Sequence, residues 1–260
     1  MEKGQMNHKV LNHKDSFDIV FDKLKSGLPF SFVRFGDGDH IIMYKKSIGR
    51  IVGGGNRFIV TEKLQQEIID CYNIQDKDFL VGTMLNDESN RQMAKTETGV
   101  DHGRLPALVE RDEMLAMSCL FETFLNDLDL FAAFLREMQK TSTLFICTYN
   151  HTRIARAYGV GEYVNVTPIN CYSNIDDWYP EVLKNVGKVD KVVISAGFCG
   201  RVIAKRLWKL GVRMPVLDVG SLSDIFILDT GITKRINPRA FMTRIKKNIN
   251  ARVEELMGMI

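Results

Sequence analysis

Apolar residues fall along this chain in two rhythms, one of helical period and one of short unbroken runs. Phe17, Val20, Phe21 and Leu24 recur at three- and four-residue steps, which predicts an amphipathic helix over 14–26. Residues 30–35 form a compact apolar run and predict the first strand. Ile41, Ile42 and Met43 begin a helix after it, and the glycines at 53–55 a loop. Thr61 caps a helix carrying Leu64, Ile68, Ile69 and Tyr72, and residues 79–84 read as the second strand. Residues 85–111 are polar and aperiodic, an excursion from the sheet. Residues 112–136 read as helical with a break at 126–129. Beyond them the rhythm is regular, with strands at 143–149, 163–166, 191–196 and 216–219. Helices stand between them, from 152, over 177–186 and over 201–210. Pro238 opens a last helix to Met257 with Phe241, Ile245, Ile249 and Val253 on one face.

Strand and helix in repeated alternation predict an α/β fold, a mostly parallel Rossmann-like sheet with helices on both faces. The run Val192-Val193-Ile194 fits a strand buried on both sides. No internal repeat or linker composition divides the chain. It reads as a single α/β domain over 1–260, with a helical lead-in over 1–28 and a C-terminal helix over 238–257.

Composition narrows the classes. At 45% hydrophobic residues, 260 residues supply an ample core. No apolar run reaches the roughly 18 residues of a membrane span, and the polar N-terminus lacks the apolar stretch of a secretory signal. Cys71, Cys119, Cys147, Cys171 and Cys199 are scattered without a CxxC pair. They read as reduced core thiols of a cytoplasmic protein. Thirty-five basic residues against 32 acidic ones leave a net charge of +3, too balanced to imply nucleic acid. A local basic excess at Lys234, Arg235, Arg239, Arg244, Lys246 and Lys247 reads as a solvated helix face. Its functional alternative is contact with phosphate, an anionic acceptor or the inner face of a membrane.

In a parallel sheet, ligands bind beyond the carboxyl ends of the strands. Four such ends carry chemistry. At the first, Arg34-Phe35-Gly36-Asp37-Gly38-Asp39-His40, Asp37 and Asp39 are one residue apart and suit a hard divalent ion. Arg34 suits a phosphate, and His40 reads as a cap or a solvent-facing side chain sooner than a ligand. The second, Ser195 to Gly200, offers the amides of Gly197, Phe198 and Gly200 to an anion at a helix start. It lacks the glycine spacing of a dinucleotide fingerprint and the lysine of a P-loop. The third, Asp218 to Asp224, supplies Asp224 and Asp218 as candidate general bases. The fourth joins the end of the 143–149 strand to Asn170 and Tyr172, neutral groups suited to sugar or base recognition. At each place the plain alternative is a capped or tightly turned strand end.

Arg34-Phe35-Gly36-Asp37-Gly38-Asp39 resembles the Arg-Phe-Gly-Asp-Gly-Glu signature of the bacterial GT-D fold glycosyltransferases, and the resemblance spans residues 30–228. It implies transfer of a sugar from a UDP-sugar to the hydroxyl of a glycan, glycoprotein or lipid-linked acceptor. It also implies a Mn²⁺ or Mg²⁺ ion on Asp37 and Asp39. The chain departs from the family at two places. Asp39 replaces the signature glutamate, and Ser221 and Ser223 stand where relatives carry histidine and an acid in Gly-His-Ile-Asp. Asp224 follows one residue late. The implied setting is the cytoplasm, at the inner face of the membrane, with homo-oligomers allowed. The competing readings are a sugar-nucleotide binder without turnover and another phosphate-handling α/β enzyme.

Overall fold

A computed structural model describes residues 9–44, 49–53, 56–83, 113–167, 171–227 and 240–260. The expected excursion at 85–111, the basic residues at 234–239 and Asn170 lie outside the described residues, as do the side chains of Asp37, His40, Arg244, Lys246 and Lys247.

In chain order the first half contains β1 (Lys9–Val10), α1 (His13–Ser26), β2 (Ser31–Arg34), α2 (Asp37–Tyr44), β3 (Gly49–Gly53), β4 (Asn56–Val60), α3 (Glu62–Tyr72), β5 (Phe79–Thr83), β6 (Glu113–Ala116), α4 (Cys119–Asn126) and α5 (Leu128–Gln139). The second half contains β7 (Thr143–Cys147), α6 (Thr152–Tyr158), β8 (Val160–Asn165), α7 (Ile175–Val186), β9 (Lys191–Ser195), α8 (Cys199–Lys209), β10 (Val216–Asp218), a 3₁₀ segment (Gly220–Ile227) and α9 (Ala240–Met259).

Eight strands form one sheet in the order β1-β6-β5-β2-β10-β9-β7-β8, and all its pairings are parallel. Side chains alternate across it. Val33, Ile194 and Val216 face a core built with α2, α3, α7 and α8. Their neighbours Phe32, Val193 and Leu217 face a second core built with α1, α4, α5, α6, the 3₁₀ segment and α9. Burial on both faces is why the central strands read as unbroken apolar runs.

Local signals place the helix ends. The Asn12 side chain accepts the Asp15 amide at the start of α1, and Gly27, at φ 65°, closes that helix in the left-handed region. Thr61 accepts the Leu64 amide at 3.1 Å, as its position predicts. The expected break near 126–129 is Asp127, whose side chain caps α5 through the Leu130 amide.

Two expectations are corrected. Residues 113–116 are strand, not helix, because their backbone is paired on both sides, with Lys9–Val10 and with Gly82 and Thr83. The strands on either side of residues 54–55, β3 and β4, pair antiparallel, and residues 54–55, where the loop is expected, lie outside the described residues. Cys171 and Cys199 form a further correction, since they are joined in a disulfide with Cα atoms 6.7 Å apart. The chains leaving β8 and β9 both run to the first core and meet there over β7, a convergence that a 28-residue separation does not advertise. The other three cysteines are buried free thiols, as expected. Among the described residues no helix is long and apolar enough to cross a membrane.

Candidate functional site

The order β2-β10-β9-β7 sets the position of the site. The chain leaves β2 and β9 toward the first core, through Ile42 and Ile203, and leaves β10 and β7 toward the second, through Leu222 and Ile154. Neighbouring strands whose exits part in this way leave a crevice beyond their carboxyl ends. Arg34, Asp218, Ser195 and Cys147 are the last residues of these four strands.

Two arginines meet at this edge in contrasting states. Arg201, from the first turn of α8, is nearly sealed from solvent, and its Nη2 donates to Asp39 Oδ2 at 2.6 Å. Its Nη1 donates to the Gly197 carbonyl at 2.6 Å and stands 3.0 Å from Asp218 Oδ2. Burial works against the charge, but Asp218 and then Asp39 outweigh it and hold Arg201 above its ordinary range. Arg34 sits on the other side of the sheet and donates through Nη1 to the Val219 carbonyl. No carboxylate among the described residues lies within ion-pair distance of it, and its Nε is buried without a partner. Burial holds Arg34 below its ordinary range, only partly offset by the charge of Asp218.

Each candidate acid then has a definite place. Asp39 is buried and faces inward, where its Oδ2 also accepts the Gly36 amide at 2.9 Å. Asp218 is fully buried, and its Oδ1 accepts the Gly220 amide at 3.0 Å. Asp224, in the 3₁₀ segment, has neither hydrogen bond nor ion pair among the described residues, and burial alone pushes its carboxyl up to about 7. Gly220 lies against the Arg34 guanidinium, and Asp224 follows in the 3₁₀ segment that begins at Gly220. The buried Tyr158 hydroxyl has no hydrogen-bond partner among the described residues.

The remaining residues complete the lining. Gly220, at φ 52°, lies against Arg34, and a Cβ there would come within 2.8 Å of Nη1. Ser195 donates to the Gly220 carbonyl at 2.7 Å and stands 2.6 Å from the Ser223 hydroxyl. Ser221 is exposed. Gly197 is exposed at φ 54° and Phe198 half-buried, in the turn before α8. The Gly200 amide, expected to meet an anion, donates instead to the Gly197 carbonyl at 3.1 Å. Gly200 packs its Cα against the Asp218 carboxylate, 3.1 Å from where a Cβ would be. Gly38 lies in α2, whose first residue is Asp37. Tyr172 is buried over the first core, beside the Glu67 and Arg206 charges that act on it. Sequence reasoning missed Arg201, whose partners are 162 and 17 residues away and leave no local signal.

For a divalent ion the described donors do not fit. Asp39 gives its Oδ2 to an amide and a guanidinium, Asp218 is sealed against the same guanidinium, and no three His, Cys, Asp or Glu side chains gather among the described residues.

Neither a family model nor a curated protein matches the chain. Solved structures do. "A New Glycosyltransferase (DUF1792) from Streptococcus sanguinis" superposes with a TM-score of 0.64 at 15% identity, over 86% of this chain and 86% of that one. "The highly conserved domain of unknown function 1792 has a distinct glycosyltransferase fold" superposes with a TM-score of 0.61 at 16% identity, over 87% and 83%. The chain thus has the parallel α/β architecture of those glycosyltransferase-fold proteins.

Proposed function

We infer that the crevice binds a nucleoside diphosphate sugar and that the chain transfers the sugar to an acceptor hydroxyl. One observation carries this reading: Arg34, which donates to the Val219 carbonyl and lies against Gly220, and Asp224, in the 3₁₀ segment that begins at Gly220, both belong to the exit of β10. A diphosphate supplies the anion that Arg34 lacks. A carboxyl near 7 is half-ionised at neutral pH, where a general base is most effective. The likeness to glycosyltransferase-fold structures supports the same chemistry, and the resemblance in sequence points to UDP as the nucleotide.

In this scheme Asp224 takes the proton of the acceptor hydroxyl as its oxygen bonds to the anomeric carbon. The bond from that carbon to the diphosphate breaks, and its electron pair leaves with UDP beside Arg34. A single base with direct displacement inverts the anomeric centre. The acceptor is the hydroxyl of a growing glycan, free or carried on protein or lipid. No step is assigned to Mn²⁺ or Mg²⁺, because Asp39 and Asp218 are engaged by Arg201 and no three His, Cys, Asp or Glu side chains gather among the described residues.

A binder without turnover is the second reading. It is favoured by Ser223, which is buried against Ser195 where the signature carries an acid. Calorimetric titration of UDP into wild type and Arg34→Gln tests the shared step. A charge-assisted hydrogen bond contributes roughly 1.5–3 kcal/mol, so the variant is expected to bind about tenfold more weakly or worse. Equal affinities would contradict the placement of the diphosphate.

A further inference from the structure

The two acids that flank Arg201 belong to two different strand exits, Asp39 to the first turn of α2 after β2 and Asp218 to the end of β10, and each is held from both sides. Asp39 lies between the Arg201 guanidinium and the Gly36 amide. Asp218 lies between the same guanidinium and the Gly220 amide, at the exit of β10. Arg201 also holds the Gly197 carbonyl, in the turn that leaves β9. One buried cation thereby ties together the three strand exits that border the crevice. The tie reaches Arg34 as well, because Gly220 packs on its guanidinium and Val219 accepts its hydrogen bond.

We propose that Asp39, Arg201 and Asp218 form a positioning triad that sets the crevice for the nucleotide, with Asp39 serving Arg201 and not a metal ion. The inference rests on the sugar-nucleotide reading of the crevice. It also accounts for aspartate at a place where the signature carries glutamate. Asp39 already meets Arg201 at 2.6 Å and is 4% exposed, so a longer side chain has no room without displacing the guanidinium. A positioning acid packed this closely against its guanidinium excludes the longer side chain.

The test is calorimetric titration of UDP, in Mn²⁺ and in chelator, into the full chain and its Asp39→Asn, Asp39→Glu, Arg201→Gln and Asp39→Asn/Arg201→Gln forms. The triad requires each single variant to weaken UDP binding about tenfold and the double variant to be no weaker than Arg201→Gln alone. The ratio of affinities with and without Mn²⁺ is then the same in Asp39→Asn as in wild type. Additive losses, a ratio that collapses in Asp39→Asn, or wild-type affinity in Asp39→Glu would each overturn it. Arg201→Lys provides a variant that retains the buried charge and loses only the fork. It too is expected to bind about tenfold more weakly, and wild-type affinity would overturn the triad. A wild type that binds no UDP at all overturns the sugar-nucleotide reading and with it the triad's role. Additive variants in a chain that does bind overturn the triad alone.

Discussion

Asp224, the proposed general base, carries a cost to stability. An unfolded aspartate titrates near pH 4, while burial lifts the folded carboxyl to about 7. Between those values the folded chain keeps a proton that the unfolded chain has lost, so stability falls as pH rises across the window and levels off above it. Asp224→Asn removes that penalty. Its melting temperature is expected to exceed that of wild type at pH 8 and to match it below pH 4, read by thermal unfolding. Gly220 shows the opposite coupling. In Gly220→Ala the new methyl group meets a left-handed backbone and the Arg34 guanidinium together. Urea denaturation is expected to show a loss of about 1–3 kcal/mol, from backbone strain and overpacking. At this scale the sequence displays acids and glycines but not their partners. Asp224 stood out as an acid after a strand. Asp39 and Asp37 read as a pair because they are neighbours in sequence, whereas the Asp39 partner is Arg201, 162 residues on.

Elements are legible where a single rhythm governs enough residues. The helices at 61–72 and 199–209 and the strands at 191–195 and 216–218 follow from apolar spacing and from caps such as Thr61. Short pieces are not. Residues 113–116 carry an apolar triplet that fits either element, and pairing with β1 and β5 decides the matter. The helical pattern of 128–139 encodes its packing directly. Phe134 meets the rings of Phe17, Phe21 and Phe131 at centroid distances of 5.7, 6.0 and 5.9 Å. It lies fully buried between α1 and the sheet's second face. Phe134→Ala is expected to destabilise the chain by about 3–5 kcal/mol, through lost burial and a cavity, with the change seen in the urea midpoint. Its ring partners, Phe17, Phe21 and Phe131, lie on α1 and α5 and none lines the crevice, so UDP affinity of the folded variant is expected to be unchanged.

At the scale of the molecule, the proposed function follows from strand order. The strand–helix alternation announces a parallel sheet, but nothing local shows that β10 inserts beside β2. That insertion brings Arg34 to the carbonyl of Val219, 185 residues away, and opens the crevice where the exits part. The 3₁₀ segment that follows β10 carries Asp224, and its first residue, Gly220, lies against Arg34. The central claim is that this pairing of cation and carboxyl transfers sugar. It is tested most directly by UDP release from a panel of UDP-sugars, with water as the acceptor, across pH 5–9 in wild type and Asp224→Asn. Wild type is expected to turn over at least one donor with a rate that rises through about pH 7, the range of the Asp224 carboxyl. The variant is expected to lose that rise and at least about a hundredfold in rate, the usual contribution of a general base. A wild type inert toward every donor, or a variant with the same rate and pH profile, would contradict it.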